Sequence, residues 1–417
     1  MHEVAEVRAP IRFRGQAHRA PKTFWEGTQR VVSPEETFAR IRPKLREVGV
    51  TRLADITGLD RLGIPVVLAI RPNAGYLSVD AGKGFTKIAA STSAAMECLE
   101  RHAAEQAQLP ERYTSYDALR EAHATVPFER LPLARGSLFH ARTPTRWSLG
   151  WDLVHQREVA VPADVVTLSR HRRTRSDPLH FQLTSNGLSA GNNFLEALNG
   201  GLLEVIERDA VACRRLQWES AGRPIPRVRT ETIERAEVVE LIARLRAAGV
   251  EVLIFDCTVD TDVPVYMAFI YDREVGQLGL YRGYGAHLDP GIALVRAITE
   301  AVQGRLVFIA GSRDDAFRHH RRIREDDRAA IRLLESIEPT VSVAARETEA
   351  TSSFEGDVDV LAGKLARVGL DQIIVFDLSV AGIDVDVLRV FVPGLEGYMY
   401  EHYQPGQRAS DWMQAAR

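Results

Sequence analysis

Three stretches of the chain repeat one order of apolar and polar positions. They are "IRPKLREVGVTRLADITGLDRLGIPVVLAI" (Ile41–Ile70), "LIARLRAAGVEVLIFDCTVDTDVPVYMAFI" (Leu241–Ile270) and "LAGKLARVGLDQIIVFDLSVAGIDVDVLRVFV" (Leu361–Val392). In each, apolar residues first recur at three- and four-residue spacing, which marks one face of a helix. Gly49, Gly249 or Gly369 then stands where the helix should end, because glycine accepts the left-handed backbone of a helix C-terminus. Two strand-like runs follow, separated by turn residues. Repeated helix–strand–strand units predict a layered α/β fold with helices packed on mixed or antiparallel sheets. The copies are unevenly spaced, so the chain is not a solenoid. Residues 1–25 form an expected N-terminal arm, rich in Arg and His early on without apolar periodicity. No Pro-, Ser- or Gly-rich linker divides the remainder, so a single domain is expected over residues 26–417.

Between these units, three further helices carry charge where a packed helix should be apolar. In "GKGFTKIAASTSAAMECLERH", Ser93, Glu97, Glu100 and Arg101 fall at i, i+4, i+7 and i+8, on one face. In "GNNFLEALNGGLLEVIERDA", Asn192 and Glu196 are one turn apart, Glu207 lies further along the same side, and Glu204 and Arg208 flank it. Asn199, Gly200 and Gly201 are expected to interrupt that helix at a cost, unless a close packing partner or ligand compensates. In "LDPGIALVRAITEAVQGRL", Arg296, Glu300 and Gln303 share a face, and Arg305 points roughly the other way. Taken singly, each helix could carry no more than exposed ion pairs worth a few tenths of a kcal/mol. Taken together, their other faces are apolar, so the glutamates are brought into proximity and must repel unless cations neutralise them. Hard carboxylate oxygens suit magnesium, which commonly bridges to substrate phosphates. Arg101, Arg208 and Arg296 could supply bidentate contacts to those phosphates. The residues therefore point to a magnesium–nucleotide site built from helix faces.

Composition narrows the setting. The 417 residues are 45% hydrophobic and carry a formal charge of -3, which argues against general nucleic-acid binding. No apolar run approaches the roughly 20 residues that cross a bilayer, and no signal-peptide pattern opens the chain. Three cysteines without CxxC spacing argue against a disulfide scaffold or structural zinc site and fit a reducing cytoplasm. The basic run "RHRRTR" (Arg170–Arg175) is either a solvated loop or an electrostatic guide for an acidic substrate segment, and nothing local separates the two. The usual nucleotide signatures GxxxxGK[ST] and GxGxxG are absent, and "GKG" at Gly82–Gly84 is too short to be specific.

Several ordered motifs together resemble the YcaO family from about Val32 to Glu396. They are "GKG…A…SAAMECLER", "TSNGLSAGNNFLEALNGGLLEVIERDA", "GAHLDPGIALVRAITEAVQGRL" followed by "AGSRDD", and "VFVPGLE". The resemblance implies an ATP-binding fold distinct from P-loop and ATP-grasp enzymes. It implies Glu97, Glu100, Glu204, Glu207 and Glu300 as magnesium ligands. It also implies Ser93, Asn192, Glu196, Arg208 and Arg296 as nucleotide contacts, with Arg30 and Thr37 matching a weaker N-terminal pattern. Such enzymes use ATP to activate a backbone amide of a ribosomally made peptide. A side-chain nucleophile then gives an azoline, sulfide a thioamide, and an amine an amidine.

One departure bears on the reaction. Many azoline-forming members end in a proline-rich tail whose carboxylate reaches the active site, whereas this chain ends "GQRASDWMQAAR". No general base is carried over. A thioamide-forming type linked to a TfuA-like protein, or a stand-alone azoline- or amidine-forming type, remains. Expected partners are the precursor peptide or protein, a TfuA-like or peptide-clasping protein, and a second copy of the chain. An amide or carboxylate ligase using the same Mg–ATP site, and a non-catalytic nucleotide-binding scaffold, are the competing readings.

Overall fold

The computed structural model describes residues 9–168, 179–274, 279–313, 324–397, 399 and 402–414. The basic run Arg170–Arg175 therefore lies outside the described residues. A short hairpin, β1 (Ile11–Phe13) and β2 (Gln16–His18), precedes the first unit. That unit is α1 (Pro34–Leu45), β3 (Arg52–Asp55), β4 (Val66–Ile70), β5 (Val79–Lys83) and α2 (Lys87–Gln106). A middle section follows: β6 (Glu111–Thr114), α3 (Tyr116–Ala122), β7 (Thr145–Asp152), β8 (Arg157–Pro162), α4 (Ala163–Val166), β9 (Leu188–Gly191) and α5 (Phe194–Ala221). The second unit is β10 (Arg227–Val228), α6 (Ala236–Ala247), β11 (Val250–Asp256), β12 (Val265–Asp272), β13 (Tyr281–Ala286) and α7 (Pro290–Ala310). The chain closes with α8 (Arg324–Glu335), β14 (Pro339–Val341), α9 (Phe354–Arg367), β15 (Ile374–Asp377), β16 (Asp386–Phe391) and α10 (Gln407–Gln414).

The three sequence repeats are α1–β3–β4, α6–β11–β12 and α9–β15–β16, and in each the two strands pair antiparallel. Gly49, Gly249 and Gly369 each have φ between +72° and +90°, the left-handed turn that their placement predicted. A third antiparallel strand completes every unit, β5 on β4, β13 on β12 and β9 on β16. β9 precedes its unit in the chain, which is why no fixed sequence period appears. The three units sit in a three-stranded sheet, a sheet ordered β13-β12-β11-β10-β14, and one ordered β6-β7-β15-β16-β9 with β8 on β7.

Each completing strand runs directly into one of the charged helices, and a strand glycine lets the helix lie against it. A Cβ at Gly82 would come within 2.0 Å of the Ala94 nitrogen of α2. At Gly191 it would meet the Ala197 nitrogen of α5 at 2.3 Å, and at Gly283 the Ala301 nitrogen and Ala297 oxygen of α7, both at 2.3 Å. These contacts are with helix backbone, which cannot rotate away. Gly82→Ala is expected to destabilise the protein by about 3 kcal/mol, as overpacking does. Gly363→Ala on α9, where a Cβ meets nothing within 4 Å, should instead stabilise by about 0.5–1 kcal/mol. Denaturant melts of the two variants check the contrast, and equal effects would refute it.

The expected break at Asn199–Gly201 does not occur. α5 runs unbroken from Phe194 to Ala221. The two glycines are packing surfaces: a Cβ at Gly200 would strike Ser189 Oγ at 2.4 Å, and one at Gly201 would strike Val390 Cγ2 at 2.6 Å. Burial of α5 against the β9–β16 face of its sheet and against α9 offsets the helix propensity that the glycines forgo. Arg305 does leave the face of Arg296, but for the core: it is fully buried, 2.6 Å from Asp60 and 2.8 Å from Asp272. No helix among the described residues is long and apolar enough to cross a membrane. The three cysteines are free and buried.

Candidate active site

The charged helices α2, α5 and α7 begin alike. Thr86, Asn193 and Asp289 each cap a helix by accepting a hydrogen bond from a backbone N–H three residues on, at 2.9–3.2 Å. A strand glycine behind and a side-chain cap in front fix the rotation of each helix, and so decide where its carboxylates stand.

Those carboxylates form one run across the three helices. Glu97 and Glu100 come from α2, Glu204 and Glu207 from α5, and Glu300 from α7. Burial pushes Glu100 well above the ordinary carboxylate range, and repulsion from Glu204 and Glu97 adds to it. Burial likewise pushes Glu204 up to about 7, with Glu207 adding and Arg208 opposing. Glu207 is raised by burial and by Glu300, against Arg208. Each neighbour in the series thus feels the next. Local contacts hold the ends: Arg101 donates to Glu97 at 2.6 Å, the Ala190 amide donates to Glu100 at 2.9 Å, and Lys83 lies 3.6 Å from Glu300. Arg101 also reaches buried Asp80 of β5 at 2.9 Å, so two carboxylates hold it in place. Burial raises Asp80 to about 7, with Arg101 opposing.

Cations line the run. Arg208 contacts Glu207 at 3.1 Å, and its guanidinium lies 5.6 Å from the Tyr284 ring centre. The Arg296 Nε is buried without a hydrogen-bond partner. Lys83, at the end of β5, donates to Gln303 at 3.1 Å. Arg389 of β16 is a residue that helix periodicity could not find. It donates to the Thr184 carbonyl at 2.6 Å, while its Nε and Nη1 are buried and unpartnered. Burial lowers its pKa to about 10, with Glu204 and Glu100 opposing. The available signal was a lone charge inside the apolar strand "VLRVFV".

A second group gathers at the start of α5. Asn192 donates to both oxygens of buried Glu196 at 3.0 and 3.1 Å, and the Val31 amide donates to Glu196 at 3.0 Å. Thr37 of α1 donates to Asn192 at 2.8 Å, Arg40 donates to the same oxygen, and Arg30 lies 3.7 Å from Glu196. Burial lowers the Arg30 pKa, Glu196 opposes, and Arg296 lowers it further. Arg296 therefore acts on both groups. Ser93 is half-buried on α2, beside Thr92, whose hydroxyl bonds to the Pro34 carbonyl of α1 at 3.0 Å. Lys22, in the expected arm, is buried and bonds Asp357 and Gln29, both at 2.5 Å. His287 was also not foreseen: its burial, then Lys22, Arg296, Arg30 and Arg235, hold it well below the ordinary imidazole range.

A family model described as YcaO cyclodehydratase, ATP- and Mg2+-binding, matches residues 81–396. The chain belongs to the YcaO family. A protein encoded in the tfuA 3′ region of Rhizobium leguminosarum bv. trifolii is 35% identical over 401 residues, 93% of each chain. The structure of YcaO from Methanopyrus kandleri, bound with AMPPCP and Mg2+, is 26% identical and covers 93% of this chain and 99% of its own, at a TM-score of 0.72. A heterocyclase in complex with substrate and cofactor shares the fold at a TM-score of 0.79 with 20% identity, over 97% of this chain and 57% of its own.

Membership makes ATP and Mg2+ the cofactors of this YcaO protein, and its side chains suit them. Among the described residues no group of three or more His, Cys, Asp or Glu side chains is arranged to hold a metal ion by itself. Magnesium needs no such cage, since it commonly takes one or two carboxylates and completes its shell with phosphates and water. Glu207 Oε2, Arg296 Nε and two Arg389 nitrogens are buried without partners. An unsatisfied buried polar atom costs about 1–3 kcal/mol, and more when charged. A ligand carrying both anionic oxygens and cations satisfies donors and acceptors of this kind together.

Proposed function

We propose that this YcaO protein uses Mg–ATP to phosphorylate the oxygen of a backbone amide in a ribosomally made peptide, with nucleophile attack giving an azoline, thioamide or amidine. The observation that carries this reading is the run of carboxylates across α2, α5 and α7, flanked by buried arginines with unpartnered nitrogens. Glu97, Glu100, Glu204, Glu207 and Glu300 would hold magnesium. Ser93, Asn192, Glu196, Arg208 and Arg296, with Arg30 and Thr37, would hold the nucleotide. Bound ATP would supply the phosphoryl group that turns amide oxygen, a very poor leaving group, into phosphate. The chain's own part is positioning and charge: helix caps and strand glycines fix the carboxylates, and the arginines meet negative charge with no reorganisation. The relative from the tfuA 3′ region supports a TfuA-like partner and, with it, the thioamide product.

The test is incubation of the protein with candidate precursor peptides, Mg–ATP and a TfuA-like partner, with and without sulfide. Peptide-dependent phosphate release, with loss of one water or exchange of one oxygen for sulfur in the peptide, is expected. A peptide joined to an added amine with all its oxygen retained in the backbone amides, or release of AMP, would favour a ligase instead.

A further inference from the structure

His287 follows β13 directly and stands two residues before Asp289, the cap of α7. The Asp289 amide donates to His287 Nδ1 at 2.9 Å. A neutral imidazole carries one proton, and the nitrogen that accepts cannot hold it, so the proton sits on Nε2. The ring is 6% exposed, and among the described residues its Nε2–H meets no acceptor. A buried donor left without a partner is rare and costs stability.

The surroundings say which kind of partner the donor lacks. Lys22, Arg296, Arg30 and Arg235 are the charged groups that act most on the ring. All four are cations, and none can accept a hydrogen bond. Two of them are already committed. Lys22 donates to Gln29, to the Thr351 carbonyl and to Asp357, and Arg235 is held by Glu237 at 2.9 Å and Asp289 at 3.5 Å. Arg296 is not, since its Nε is buried without a partner. Arg296 also stands beside the ring. His287 extends the β13 ladder through its amide bond to the Pro264 carbonyl at 3.2 Å, so it shares a strand face with Gly285. A Cβ at Gly285 would lie 2.8 Å from Arg296 Cβ. Two open N–H donors within cationic walls suit an anion with several acceptor oxygens, a phosphate rather than a sugar or a base.

We infer that His287 is a neutral hydrogen-bond donor to a phosphate oxygen of the bound nucleotide, fixed in that tautomer by the Asp289 amide and acting beside Arg296. The inference rests on the nucleotide placement proposed above. A neutral donor adds direction to a pocket already crowded with positive charge, where a further cation would repel its neighbours. Burial and the four cations hold the ring well below the ordinary imidazole range, so it stays neutral at neutral pH. The same geometry denies it the part of general base: the Nδ1 lone pair is engaged by Asp289, and Nε2 already carries its proton.

Two substitutions divide the roles of the two ring nitrogens. Asn sets its amide where Nδ1 stands, so His287→Asn keeps an acceptor for the Asp289 amide and loses the donor. Gln reaches as far as Nε2, so His287→Gln keeps a donor and loses that acceptor. Calorimetric titration of the full chain with Mg–ADP, and with Mg–tripolyphosphate, which lacks sugar and base, reads binding without turnover. Both ligands are expected to bind His287→Asn about tenfold to a hundredfold more weakly than wild type, and His287→Gln within about threefold of it. His287→Gln should be the variant that melts lower. The loss in His287→Asn should be equal at about pH 6 and about pH 8, as a neutral donor requires. Wild-type affinity in His287→Asn, or a larger loss in His287→Gln than in His287→Asn, would overturn the inference. So would a loss confined to Mg–ADP, which would put the contact on sugar or base, or a loss that grows on acidification, which would make the donor an imidazolium. The expected binding without peptide-dependent phosphate release in wild type would remove the proposed function and leave this contact. Undiminished nucleotide binding in His287→Asn with turnover intact would do the reverse.

Discussion

Glu207→Gln is expected to lower peptide-dependent ATP turnover by about a thousandfold while melting no lower than the wild type. Glu207 is 2% exposed, contacts Arg208 with one oxygen and leaves the other unpartnered, and meets Glu300 across the α5–α7 boundary. Gln keeps the shape and removes the charge. Loss of one preorganised electrostatic group in a buried site costs about a hundredfold to a thousandfold in rate. The same change relieves a buried repulsion in the free protein, so stability should hold or rise, as at sites where function opposes stability. Phosphate release and thermal melts with and without Mg–ATP decide it. Normal turnover in Glu207→Gln and in Glu300→Gln would remove the site assignment; a collapsed melt would make Glu207 a structural residue.

Mg–ATP affinity is expected to rise by about tenfold per pH unit for each proton displaced, flattening above pH 7. Glu204 moves from 4.5 to about 7 in the folded protein, and Asp80 from 3.8 to about 7, both through burial. A carboxyl raised in this way carries no penalty below its unfolded value. The penalty grows as pH climbs toward the folded value and is complete above it. The free protein should therefore lose stability from Glu204 between about pH 4.5 and 7, and from Asp80 between about pH 3.8 and 7. Asp55 has the opposite sign: hydrogen bonds from Thr57 and Lys87 hold it at about 2, so its contribution fades only as pH falls below about 4. Magnesium requires the charged carboxylates, so it supplies what the free protein lacks at neutral pH. Calorimetric titration in two buffers of different ionisation enthalpy counts the protons released. Comparing wild type with Glu204→Gln separates the site from the nucleotide's own titration, and identical pH slopes would defeat the prediction.

Periodicity and local chemistry made much of this protein legible without coordinates. The three helix–strand–strand repeats, the glycines that end their helices and the charged faces of α2, α5 and α7 follow from spacing alone, because helix and strand periods are local properties. The acidic set was visible for the same reason, since Glu97 and Glu100, or Glu204 and Glu207, share a face whatever lies around them. Tertiary packing decided what depends on distant contacts. Gly200 and Gly201 keep α5 straight because Ser189 and Val390 press on them, which propensity cannot foresee. Arg101 is held by Asp80 from another element. Arg389 joins the site from β16 across the sheet, and Lys22 and His287 reach it from segments with no periodic signal. A sequence states which face of an element is polar. Only the fold, by bringing three such faces together, buries Glu100, Glu204 and Glu207 beside other carboxylates and so raises their pKa values.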